Sequence, residues 1–172
     1  NAESSLKNLC TDLGFSRGGL LKITAKQEML VDLAIENIMA PSFFVFVQKL
    51  FEKLVERGVP PEVACMELYY SGETAAVRKA MSKFGLYKGL QVNASPTCQY
   101  GVSSSSEALL NSNWVDEFID SRLSRIESGQ FSSELSNEIV TRLKRENFFK
   151  SEVSKRIREA EIVSDRIFKK SI

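Results

Sequence analysis

The chain has 172 residues, 43% hydrophobic and 26% charged, a balance that fits one ordered globular domain and excludes a disordered segment. A net charge of +1 gives no global attraction to nucleic acid or to an anionic membrane. Histidine is absent, which excludes a Ser-His-Asp or Cys-His apparatus and any His-containing zinc site within the chain. Cys10, Cys65 and Cys98 form no CxxC pair and read as buried, reduced thiols of a cytoplasmic protein. The most apolar run, residues 38–47, is about ten residues against the roughly 20 needed to span a bilayer, and no signal-peptide pattern opens the sequence.

In chain order, residues 3–13 suit a short helix with Leu6, Leu9, Cys10 and Leu13 on one stripe. Gly14-Phe-Ser-Arg-Gly-Gly19 breaks it; no strand precedes these glycines, and their spacing does not fit a dinucleotide loop. Residues 20–24 form an extended link, with Thr24 placed to cap the next helix together with Gln27. That helix, residues 25–57, contains Pro41, which predicts a kink or break over residues 38–41. Gly58 ends it. Pro60-Pro61 opens a helix predicted to run to about residue 83, with Gly72 in its interior and Gly85 as terminator. Residues 86–104 are less regular, with Ser95-Pro96 as a helix start. Residues 114–128 are amphipathic, Gly129 closes them, and two further helices are expected over about 131–145 and 148–169. No segment alternates with period two, so the chain reads as all-α.

Two features stand out for chemistry. Glu28, Asp32 and Glu36 are spaced four apart and make a column of like charge on an apolar helix, calling for a divalent cation or a lysine from another element. Residues 142–172 carry ten basic and five acidic side chains. Their alternation reads as a solvated helix face with i,i+4 pairs in preference to a polyanion-binding surface.

An ordered set of motifs resembles the C-terminal helical domain of ketol-acid reductoisomerase. Gly14, Arg17 and Gly19 match the family's glycine-and-arginine turn, Thr24 and Lys26 its threonine-x-lysine, and Asp32-Leu33-x-x-Glu36 its D-L-x-G-E. Phe51-Glu-x-Leu-Val-Glu-x-Gly58, Pro61-Glu-Val-Ala64 with Glu67, and Gly89 followed by Ser95-x-Thr97-x-x-Tyr100-Gly101 match further motifs in order. So do Ile126-Glu-Ser-Gly129-x-Phe131 and Arg158-Glu-Ala-Glu161.

The resemblance implies a knotted all-helical domain related to that of 6-phosphogluconate dehydrogenase-like enzymes, spanning residues 1–172 and interlocked as a homodimer. It also implies a magnesium- and NADPH-dependent oxidoreductase/isomerase of branched-chain amino acid biosynthesis. That activity is alkyl migration plus reduction of a 2-acetolactate-type, 2-hydroxy-3-keto acid substrate. Asp32 would bridge two magnesium ions, Glu36 would hold the first, Glu67 of the partner subunit would serve the second, and Ser95 would contact the substrate. NADPH would come with an N-terminal Rossmann domain that this chain lacks, leaving the isolated domain inactive. Neither nucleic acid nor membrane is implied.

The sequence also departs from the pattern. Ser71 stands where the family has a second glutamate, Ser42-Phe43 follow Pro41 where it has a glycine pair, and Gln99 replaces the glutamate of T-A-E-Y-G. These differences keep open a diverged relative that retains fold and dimer without the reaction. Without the resemblance, Asp32 and Glu36 read as a solvated helix face or as partners in an internal salt bridge, the commoner fate of i,i+4 carboxylates, and Ser95 reads equally well as a helix N-cap.

Overall fold

A computed structural model describes residues 1–168. Among them there is no strand, and the chain is all-α as its periodicity predicts. Helix α1 (Ala2–Asp12) is capped by Asn1, whose side chain accepts the Glu3 and Ser4 amides. A 3₁₀ turn, Phe15–Gly18, then leads through extended residues to Thr24. Thr24 and Gln27 form the expected capping box: the Thr24 hydroxyl accepts the Gln27 amide at 3.2 Å and the Gln27 side chain accepts the Thr24 amide at 2.9 Å.

Pro41 does not break the helix that follows. Helix α2 (Ala25–Ala34) passes through a π turn, Ile35–Met39, into α3 (Ala40–Glu56) as one 32-residue helix. A proline removes a donor and crowds the carbonyl four residues back; the widened turn relieves both. The Ala40 amide reaches back five residues to the Ile35 carbonyl. The Asn37 side chain donates to the Leu33 carbonyl at 2.9 Å and the Ser42 hydroxyl to the Ile38 carbonyl at 2.6 Å. The apolar stretch is therefore not limited to ten residues: the helix reaches a mean hydropathy of 1.7 over 18 residues and, by length and composition alone, could cross a membrane.

The predicted helix over residues 61–83 is divided. Helix α4 (Pro61–Cys65) leads into a second π turn, Met66–Tyr70, closed by the Ser71 amide on the Met66 carbonyl at 2.9 Å. Gly72, in the left-handed region at φ 75°, then starts α5 (Glu73–Phe84), so it is a corner between helices and not an interior residue. Residues 86–104 are almost wholly helical, contrary to expectation: α6 (Leu86–Asn93) folds back along α5, and α7 (Pro96–Leu110) begins after Ser95. Gly89 sits where α5 and α6 touch, and a Cβ there would lie 2.5 Å from the Met81 backbone. Helices α8 (Asn113–Glu127), α9 (Gln130–Thr141), α10 (Leu143–Phe149) and α11 (Glu152–Phe168) complete the described fold. Arg142, at φ 56°, separates α9 from α10 where one helix was expected. Residue 169, the predicted end of the last helix, lies outside the described residues.

The core is small and lies where α3, α4 and α11 meet, with Phe51, Ala64, Cys65 and Ala160 buried. Cys10 and Cys98 are only half-buried, so of the three thiols Cys65 alone fits the buried expectation; none is disulfide-bonded. The chain exposes 13187 Å², about 4,700 Å² more than a compact monomer of 19.3 kDa would by the usual area–mass scaling. Much of the surplus is apolar: Met39, Phe44 and Phe46 of the long helix are 63%, 54% and 54% exposed.

Candidate metal-binding face and family relationship

Asp32 and Glu36 lie on successive turns of the long helix, both exposed, with Glu36 inside the first π turn. Their helix is held by α8. Lys26 pairs with Glu127 at 3.7 Å, and the Arg125 guanidinium donates to the Asn37 side chain at 3.2 Å. Arg125 also pairs with Glu134, which Lys144 approaches at 3.2 Å, and stacks over Phe131 with 5.0 Å to the ring centroid. The guanidinium beside Glu134, then Lys144 and Gln130, hold that carboxyl down at about 2. None of these cations bonds to Asp32 or Glu36, which form no salt bridge among the described residues. Two unneutralised carboxylates one turn apart, offering only hard oxygen atoms, are a donor set suited to magnesium. Glu36 also opens on a cavity of about 660 Å³ whose wall includes Arg122, Arg125, Lys144 and Arg145. Glu28, the third member of the column, is exposed on the first turn of α2.

Glu67 occupies the same place in the second π turn that Glu36 has in the first, the second of five residues, and is likewise exposed. The structure does not bring it to the other two within one chain: no three His, Cys, Asp or Glu side chains converge among the described residues. Ser71 is exposed at the end of that turn, and its hydroxyl accepts the Glu73 amide at 3.4 Å. Ser95 caps α7, its oxygen accepting the Cys98 amide at 3.3 Å, with Pro96 in the first turn.

Two departures acquire a physical account. The Gln99 amide donates to the carbonyls of Ala94 at 2.9 Å and Gln91 at 3.3 Å, closing the end of α6, a role a carboxylate cannot fill. Phe43 lies under the Arg78 guanidinium, 4.9 Å from its ring centroid, so the bulk that replaces glycine is used between helices. The Arg125–Glu134–Lys144 cluster and the tyrosines of the second π turn had no signal in the sequence. Their partners lie on other elements and follow no local spacing.

These features describe an all-helical domain with an acidic face on its longest helix. Residues 25–169 match the family described as ketol-acid reductoisomerase, C-terminal domain, and the chain belongs to that family. It is 32% identical over 149 residues to a ketol-acid reductoisomerase (NADP(+)) of Methanopyrus kandleri, covering 83% of this chain and 44% of that protein. It is 33% identical over 97 residues to a putative ketol-acid reductoisomerase of Saccharolobus solfataricus, covering 55% and 29%. A solved structure of an NADH-preferring ketol-acid reductoisomerase from an uncultured archaeon superimposes with a TM-score of 0.70 at 26% identity, over 89% of this chain and 46% of the other. The chain thus spans less than half the length of these relatives.

Proposed function

We propose that this chain is the magnesium-binding, dimer-forming C-terminal half of a ketol-acid reductoisomerase acting on 2-acetolactate-type substrates. The observation that carries this reading is the family match over residues 25–169, a stretch that includes Asp32, Glu36, Glu67 and Ser95. In the proposed site Asp32 and Glu36 present carboxylate oxygens from one protomer, and Glu67 of the partner subunit presents one from across the dimer. Magnesium, when bound, supplies Lewis-acid polarisation of the substrate's hydroxy and keto oxygens. Ser95 accepts the Cys98 amide through its lone pair, which leaves its O–H proton to donate to a substrate oxygen. NADPH is bound by a Rossmann domain outside this chain, so the domain alone is inactive.

The dimer is supported by the surface. A surplus of about 4,700 Å² per chain, or about 9,400 Å² for two copies, is more than enough for an obligate interface, which buries roughly 2,000–5,000 Å² or more over both partners. A second copy suits the long helix better than a bilayer does. Between Glu36 and Lys49 only residues 37–48 are free of charge, about 18 Å of helix against a hydrocarbon core of about 30 Å. The protein is accordingly read as cytoplasmic.

Calorimetric titration of the full-length protein with Mg²⁺ tests the site. Binding that Asp32→Ala removes is the expected result; no heat at millimolar metal refutes it. A second reading, a relative that keeps fold and dimer without the reaction, is favoured by Ser71, a neutral residue already engaged by the Glu73 amide. Turnover of 2-acetolactate by the full-length protein excludes it.

A further inference from the structure

The second π turn is fastened to the far end of the chain. Tyr69 and Tyr70 are adjacent in sequence, and on a regular α-helix adjacent side chains diverge by about 100°. In the widened turn both reach α11. Their rings lie 5.2 Å apart at 33°. The Tyr69 hydroxyl donates to Glu161 Oε1 at 2.8 Å and the Tyr70 hydroxyl to Asp165 Oδ1 at 3.0 Å, two carboxylates one turn apart. Between them in sequence, the wholly buried Ser164 directs its Oγ at the Glu62 carbonyl, 3.3 Å away, and at that of Ala160, 3.0 Å. On the other side of the turn Cys65 is fully buried in the core beside Ala160. Glu67 is thus held from both sides by residues anchored on α11, while its own side chain stays exposed.

We infer that the Tyr69–Glu161 and Tyr70–Asp165 hydrogen bonds are positioning contacts for Glu67: they hold the π turn open and so fix the direction in which its carboxylate meets Mg²⁺. The inference rests on the reading of Glu67 as a metal ligand. Magnesium demands near-octahedral geometry and tolerates misplaced ligands poorly. With Ser71 in place of a second carboxylate, this side of the site has one strong ligand, so its orientation is not averaged over two. π turns inserted in α-helices recur at functional sites because they re-aim a side chain without ending the helix. Here both glutamates proposed as ligands sit at the second position of such a turn. The first is supported by Asn37 and Ser42, with Arg125 donating to Asn37 from 88 residues away; the second draws its support from 92 and 95 residues away.

The test is Mg²⁺ titration of the full-length protein by calorimetry, with amide hydrogen exchange over residues 66–71. Glu67→Gln defines the binding event to which Glu67 contributes. The double variant Tyr69→Phe/Tyr70→Phe keeps both rings and removes only the hydroxyls. It is expected to weaken that event about 10- to 100-fold, as loss of outer-sphere partners commonly does, and to speed exchange in the turn. Glu161→Gln still accepts through its amide oxygen and is expected to bind like wild type, whereas Glu161→Ala is weakened. Unchanged affinity in the double variant, with Glu67→Gln impaired, overturns the positioning role and leaves the metal reading standing. Equal loss in Glu161→Gln and Glu161→Ala also overturns it, assigning the effect to charge. Wild-type binding by Glu67→Gln overturns both the inference and its premise. Should the double variant fail to fold, the Glu161 pair supplies the same comparison.

Discussion

Gly89→Ala is the substitution whose outcome the geometry fixes most firmly. Gly89 is buried in α6, in ordinary helical conformation, so alanine is acceptable to its own backbone and gains about 1 kcal/mol of helix propensity. Its Cβ, however, would lie 2.5 Å from both Met81 Cα and Met81 N, and 2.9 Å from the Ala80 carbonyl carbon. Carbon contacts settle at about 3.5–4.0 Å, so α5 and α6 must separate by about 1 Å. The obstacle is backbone, and no rotamer change relieves it. Overpacking typically costs about 1–3 kcal/mol, and the rigidity here places the cost near the upper end, about 3 kcal/mol before the propensity gain. The net expectation is a loss of about 2 kcal/mol, or a fall in Tm of about 4–8 °C for a chain of this size. Urea and thermal denaturation of the full-length protein at one fixed concentration measure it. A G89A protein as stable as wild type, or more so, refutes the close approach of these helices.

Other expectations follow from the same contacts. The Glu134 carboxyl is held at about 2, below its ordinary 4.5, by Arg125 first and then Lys144 and Gln130. Its folded value is depressed, so its stabilisation is present above pH 4.5 and is lost as pH falls toward 2. Arg125→Ala should raise the Glu134 pKa, read by NMR titration of its side chain, and flatten that acid limb. Tyr70 is pushed up to about 12, by burial first and then by its hydrogen bond to Asp165. Its contribution is therefore complete below pH 10 and lost as pH rises toward 12. Tyr70→Phe should remove that alkaline dependence and the matching step in tyrosinate absorbance. Thr24→Ala deletes the cap of the long helix and should cost about 1 kcal/mol in denaturant unfolding, with no effect on Mg²⁺ affinity.

The helical class, the Thr24–Gln27 capping box, the Ser95-Pro96 start and the Gly129 stop were legible because each is set by neighbours within four residues. Pro41 announced a disturbance over residues 38–41, and the structure gives it the form of a π turn, with the Asn37 and Ser42 side chains donating to the Leu33 and Ile38 carbonyls. Gly72 and Arg142 turn the chain in the left-handed region, at φ 75° and 56°; for Arg142 no residue type announces it, since a non-glycine residue rarely adopts that conformation. Residues 86–104 hid their helicity because α6 contacts α5 through Gly89, so its contact position looks like a breaker. Asp32 and Glu36 were legible as a column from their spacing. Glu67 stood out only by resemblance, and nothing local foretold that two tyrosines beside it would reach α11.

The apolar residues that the 32-residue helix leaves exposed also bear on the chain before the proposed dimer forms. In a single copy Met39, Phe44 and Phe46 of this helix are 63%, 54% and 54% exposed, so on the proposed dimer a newly made chain carries that surface from the moment the helix forms until a second copy covers it. Encounter is bimolecular, and the time spent bare lengthens as the protein becomes scarcer, a period in which apolar surface recruits chaperones or aggregates. Mass action then ties the yield of folded protein, as well as its resistance to heat, to the amount synthesised. For the proposed dimer, the expected result is a Tm that falls as the protein is diluted.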